Sequence, residues 1–127
     1  MANIFILEPD NLLAGNLRSF FANANHTAYV HSDPQSALTT ADEYKPDIVI
    51  TNLQLAGRSG IEFLYEFRSY SDWQNIPVIL LGHLRNEEMT QYTEVFSELN
   101  ISSYIYKPSI KLNSLLLSVE QMLQPAS

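Results

Sequence analysis

Apolar runs and helical stripes alternate along this chain in a regular order. Ile4-Phe-Ile-Leu7 is a short continuous apolar run, and Leu13, Leu17 and Phe20-Phe21 follow it at helical spacing. Ala28-Tyr-Val30 predicts a second, weaker strand. Ser32-Asp33-Pro34 then predicts a helix start, a capping side chain ahead of a proline that the first turn tolerates. Asp47 to Asn52 reads as a buried third strand, entering a loop punctuated by Gly57 and Gly60 and then a helix whose inner face carries Ile61, Leu64 and Phe67. Pro77 to Leu81 predicts the fourth strand. Met89, Tyr92, Val95-Phe96 and Leu99 mark the fourth helix, and Ile101 to Tyr106 the fifth strand. Leu112, Leu115-Leu116, Val119 and Met122-Leu123 stripe a closing helix.

Five strand–helix units with short connections predict an α/β fold. The expected form is a three-layer, flavodoxin-like (βα)5 domain whose parallel five-stranded sheet runs in the order 2-1-3-4-5. A site is expected at the carboxyl ends of strands one and three. A fold of this class does not name a function.

Composition narrows the choice. At 127 residues, 46% of them hydrophobic, the chain suits one domain over 1–127 with a real core. Residues 124–127 read either as a true terminus or as the start of a linker to an output domain. Cys is absent, which removes disulfides and thiolate metal sites. No apolar run has the length of a membrane span or the form of a signal sequence, so a cytoplasmic protein without membrane contact is expected. The net charge of −7 argues against a surface that binds nucleic acid through its backbone.

The stretch from Pro46 to Gly60, with Lys107-Pro108 after the fifth strand, resembles the receiver domain of two-component response regulators, over essentially the whole chain. In that family the third strand ends in an aspartate that accepts a phosphoryl group; here that position holds Asn52. The resemblance also implies two adjacent acidic residues after the first strand that help hold magnesium. This chain has Glu8 and Pro9, with Asp10 following, and Pro9 offers no side-chain oxygen. The backbone carbonyl of Gln54 matches a further family ligand. Where the family places a Ser or Thr that contacts the phosphoryl oxygen, Gly82 has no hydroxyl. Lys107 keeps the position of the family's lysine, and Tyr104 that of the aromatic that swings on phosphorylation. Pro108 is a cis-proline candidate.

An amide oxygen has little nucleophilicity and forms no stable acyl phosphate. The acceptor, one metal carboxylate and the hydroxyl are lost in three separate loops, which reads as a pseudo-receiver. Structural readings stand beside the functional ones. Lys107 neutralises Glu8 at the sheet edge, Glu8 is that partner rather than a weak metal candidate, and Asp10 or Asn11 caps the first helix. Asn52 hydrogen-bonds Lys107 through its amide oxygen. His83 is an exposed loop histidine at the pocket mouth, and His26 and His31 receive no role. Tyr104 and Tyr106 share one face of an edge strand, with Tyr92 on the preceding helix beside them. These three are interface candidates for a partner or a homodimer on the side of the fourth helix, fifth strand and fifth helix.

The expected function is a non-enzymatic receiver domain of a two-component phosphorelay signal transduction system. It is not phosphorylated, carries no cofactor, and acts through contacts with a histidine kinase, an output domain or another signalling protein. One alternative is a phosphorylatable, magnesium-dependent domain in which Asn substitutes for an original Asp at position 52, or in which Asp10 is the acceptor. Another is a small-molecule sensor that uses the emptied pocket near Gly82.

Overall fold

Three continuous apolar runs become the middle of one parallel sheet. The computed structural model describes residues 1–55 and 57–124; of 124–127, read as a terminus or the start of a linker, all beyond Gln124 lies outside the described residues. The strands are β1 (Asn3–Leu7), β2 (Thr27–His31), β3 (Ile48–Asn52), β6 (Val78–Gly82) and β7 (Ser103–Tyr106). The short β4 (Gln54–Leu55) and β5 (Arg58–Ser59) pair antiparallel apart from the sheet. The sheet order β2-β1-β3-β6-β7 matches the expected 2-1-3-4-5 once its five strands are counted alone.

Alternation along each strand divides the core. Ile4, Ile6, Ile48, Ile50, Ile79 and Leu81 face α1 (Asn11–Asn23) and α5 (Leu112–Leu123), where Leu17, Phe21, Leu115 and Val119 cover them. Phe5, Leu7, Val49, Val78 and Leu80 face the opposite layer. There α2 (Pro34–Glu43) contributes Leu38 and α3 (Gly60–Arg68) contributes Phe63, Leu64 and Phe67, while Val95 and Phe96 of α4 (Thr93–Glu98) pack at the edge of the cluster. With helices on both faces, central strands have no reason to alternate polar and apolar residues.

Local chemistry sets the element ends. Asp10 Oδ1 accepts from the N–H of Leu12 and Leu13, and Asp33 Oδ1 accepts from that of Ser36 at 2.9 Å with Pro34 following the cap. These bonds hold the Asp33 carboxyl below its ordinary value. The expected fourth helix opens instead as a 3-10 turn, Glu88–Tyr92. Its Thr90 and Thr93 hydroxyls donate to the carbonyls of Glu87 and Thr90, which competes with regular helical geometry.

The fifth strand starts two residues later than expected. Asn100 takes a left-handed φ of 54°, and the Ile101 N–H closes back on the Phe96 carbonyl at 3.0 Å. Arg68 reaches this turn from α3, donating to the carbonyls of Leu99 and Asn100 at 2.8 and 3.0 Å and to Trp73 at 2.6 Å. Pro108 requires a correction, because no described peptide bond is cis. The chain leaves β7 through a 3-10 turn, Lys107–Ser109, closed by Ile110 N–H on the Lys107 carbonyl. A proline with a trans bond fits the start of such a turn, where no N–H is needed.

Candidate functional site

Four strand ends converge on one buried cluster. Glu8 follows β1, Asn52 ends β3, Gly82 ends β6 and Lys107 follows β7. Glu8 is 1% exposed and Asn52 4%, so the polar atoms of both must be satisfied inside the protein. They are. Lys107 Nζ lies 3.0 Å from both Glu8 oxygens and donates to Asn52 Oδ1 at 2.8 Å. Asn52 Nδ2 donates to the Leu7 carbonyl at 2.8 Å and to Glu8 Oε1 at 3.0 Å, and the Asp10 N–H adds a bond to Glu8 Oε2 at 3.1 Å.

The amide thus has one consistent orientation. Its oxygen faces the ammonium, and its NH2 faces a carboxylate and a carbonyl. Glu8 and Lys107 cancel in charge, and Asn52 adds none. The triad is neutral as it stands, and each of its side-chain oxygens accepts a hydrogen bond.

Asn52 is set in place from behind. A Cβ on Gly60 would collide with the Asn52 carbonyl, and the Gly60 N–H donates to the Leu53 carbonyl at 2.6 Å. Only glycine lets α3 begin so close to the end of β3. Sequence reasoning read Gly60 merely as loop punctuation.

At Gly82 the missing side chain is replaced by another residue. Tyr104 turns inward, and its hydroxyl donates to the Leu84 carbonyl at 2.5 Å. A Cβ on Gly82 would lie 2.7 Å from that hydroxyl oxygen. Burial pushes the Tyr104 phenol above its ordinary value. Its ring packs against Phe96 at 6.2 Å, and Tyr92 joins the same apolar cluster. Tyr106 is half-buried and lies outside both apolar clusters. The Leu84 carbonyl carried no sequence signal, since backbone atoms are the same at every residue.

The remaining candidates fall elsewhere. Pro9 and the exposed His83 line a cleft above Asn52, while Asp10 is occupied as the cap of α1. His26 sits at the opposite end of the sheet, between the Ala2 N–H and Glu120. His31, at the end of β2, has a buried Nε2 with no partner among the described residues, and burial lowers its pKa. Among the described residues no group of three or more His, Cys, Asp or Glu is placed to hold a metal ion, and no helix is long and apolar enough to cross a membrane.

Comparison with known proteins shows the family and the fold. Residues 4–120 match the model of the response regulator receiver domain. The chain is 30% identical over 121 residues to the regulatory protein VanRB of Enterococcus faecalis, covering 95% of this chain and 52% of that protein. It is 29% identical to the KDP operon transcriptional regulatory protein KdpE of Escherichia coli, covering 85% of this chain and 45% of the relative. The chain therefore spans about half the length of these curated relatives. The fold superimposes on the chemotaxis response regulator CheY4 of Vibrio cholerae with a TM-score of 0.85 at 17% identity, over 97% of this chain and 99% of that one. It also matches the BeF3-activated N-terminal receiver domain of RstA from Klebsiella pneumoniae, with a TM-score of 0.80 at 21% identity, over 97% and 99% of the two chains.

Proposed function

The chain belongs to the response regulator receiver domain family, and from that premise we propose that it is a receiver that accepts no phosphoryl group and signals through protein contact. One observation carries this reading. The side chain at the acceptor position is an amide whose oxygen is held on Lys107 and whose NH2 is held on Glu8. A phosphoryl acceptor needs a nucleophilic carboxylate oxygen, and an amide does not supply one.

Magnesium does not fit the residues present. It requires several oxygen ligands in near-octahedral geometry. Glu8 is the lone carboxylate of the triad, and both its oxygens already accept hydrogen bonds. The Asn52 NH2 presents donors toward Glu8, where a cation would need acceptors. Asp10 is engaged as a helix cap, which also speaks against it as a substitute acceptor.

The inward Tyr104 supports a receiver held in one conformation. With no side chain at Gly82 to compete, its hydroxyl keeps the Leu84 carbonyl whether or not anything happens at Asn52. The partners are a histidine kinase, an output domain or another signalling protein. The surface around α4, β7 and α5, with Tyr92 and Tyr106, is the contact face for such a partner or a second copy. The test is incubation with acetyl phosphate and magnesium followed by intact mass measurement. No mass gain is expected. A gain of one phosphoryl group labile to hydroxylamine marks an acyl phosphate and overturns the reading. It would then favour a phosphorylatable domain with Asn substituted for Asp at position 52 or with Asp10 as acceptor.

A further inference from the structure

Asn52 and Lys107 of the neutral triad line a cleft of about 630 Å3, with Glu8 buried behind them. Small-molecule sites span roughly 300–1,000 Å3, so the space suits a ligand rather than a few waters. Its walls are apolar: Leu53, Ile61, Leu81, Leu84 and Val95, with the Tyr92 ring beside them. The polar residues of the lining are Asn52 and Lys107, the exposed His83, and Gln54 and Ser59.

The lining selects by charge. The Lys107 ammonium is already balanced by the buried Glu8 carboxylate at 3.0 Å, so a second anion would be desolvated by apolar walls with no unshared positive charge to meet it. A cation fares no better, because the Glu8 oxygens and the Asn52 oxygen are already accepting hydrogen bonds. One group lining the cleft has donor capacity to spare. An ammonium has three N–H donors, and among the described residues Lys107 uses them on Glu8 and Asn52, leaving a third.

We propose that this cleft binds an uncharged, mainly apolar small molecule carrying a carbonyl group, with the carbonyl oxygen accepting from Lys107 Nζ and the apolar body lying between Leu53, Ile61, Leu84 and Val95. The proposal rests on the reading that no phosphoryl group or magnesium enters this site. Leu84 links the cleft to the rest of the domain, since its side chain lines the wall while its carbonyl holds Tyr104. A bound molecule therefore touches the segment that sets the position of Tyr104.

The test uses two probes of similar size and opposite charge character, benzylacetone (a neutral ketone) and hydrocinnamate (a carboxylate). Each is titrated into the full chain while backbone amide resonances are followed. Benzylacetone is expected to shift Leu53, Gly82, Val95 and Lys107 saturably in the low-millimolar range, with hydrocinnamate at least roughly tenfold weaker. Val95→Trp fills the cleft and is expected to abolish the shifts. Absence of saturable shifts with benzylacetone, equal or tighter binding of hydrocinnamate, or unchanged binding by a folded Val95→Trp variant overturns the proposal. The comparison of the two probes is made on the unmodified chain and does not depend on that variant folding. Phosphoryl labelling is read separately by mass, so failure of the underlying reading is distinguishable from failure of the ligand proposal.

Discussion

The Tyr104 hydroxyl lies where a side chain on residue 82 would begin. A Cβ built on Gly82 comes within 2.7 Å of that oxygen and 3.0 Å of the neighbouring ring carbon, closer than a packed interior accepts. The two positions therefore compete for one space, and in this chain the tyrosine occupies it. Gly82→Thr is expected to expel Tyr104, break its bond to the Leu84 carbonyl and cost roughly 1–3 kcal/mol of stability. Urea denaturation measures the cost, and the shift of the Tyr104 phenol back toward its ordinary pKa reports the expulsion. In a Tyr104→Leu background most of the cost should vanish, because the contact that causes it is gone.

A carboxylate at position 52 alone should not confer phosphoryl transfer. Asn52→Asp removes the NH2 that bonds Glu8 and sets a second buried carboxylate beside the first, with only Lys107 to balance both. A stability loss of about 1–3 kcal/mol is expected in the absence of metal. Labelling from acetyl phosphate with magnesium should remain slow, since Pro9 adds no carboxylate and Gly82 no hydroxyl. Efficient transfer should require Pro9→Asp and Gly82→Thr as well, and the latter also obliges Tyr104 to leave. Fast magnesium-dependent labelling of the single variant would instead mean that one substitution separates this site from activity.

Magnesium should bind the unmodified chain no better than millimolar. Titration calorimetry showing submillimolar affinity that disappears in Glu8→Gln would contradict the account of the triad as closed. The conservative amide is the appropriate variant here, because it keeps the shape of a residue that is 1% exposed.

Lys107 should prove structural as well as positional. Lys107→Met leaves the buried Glu8 carboxyl without its cation, a change expected to cost about 3–5 kcal/mol. The double variant Lys107→Met with Glu8→Gln removes both charges and should recover much of that loss. Urea midpoints of the two singles and the double, read as a mutant cycle, give the coupling directly.

His31 should make stability fall on mild acidification. Burial lowers its pKa from the ordinary 6.5, with nearby Asp33 opposing and Arg18 assisting the shift. A histidine held neutral in the fold lets the unfolded chain bind more protons as pH drops below that ordinary value. Its contribution is therefore whole above 6.5 and is lost as pH falls toward the folded value. Urea midpoints measured from about pH 7.5 down to about pH 5 should decline, and His31→Phe should flatten that part of the curve.

The order of strands and helices was legible in the chain because burial on two faces leaves apolar runs, such as Ile48-Val-Ile50, and burial on one face leaves helical stripes, such as Leu115 and Val119. Capping by Asp10 and Asp33 was legible too, since a cap needs only its own next few residues. That position 52 holds an amide and position 82 no side chain is a property of single positions, and no folding is needed to see it. What surrounds those positions is another matter. The closed hydrogen bonding of Asn52 with both Glu8 and Lys107 joins residues 44 and 55 positions apart in the chain. The inward turn of Tyr104 onto the Leu84 carbonyl depends on an empty space left by Gly82 in a neighbouring strand. The trans Lys107–Pro108 bond, the β4–β5 pair and the 3-10 opening before α4 are local in sequence, yet the pattern of apolar residues marks none of them. Chain chemistry determined which side chains stand at these positions, and only the convergence of four strand ends decided which of them meet.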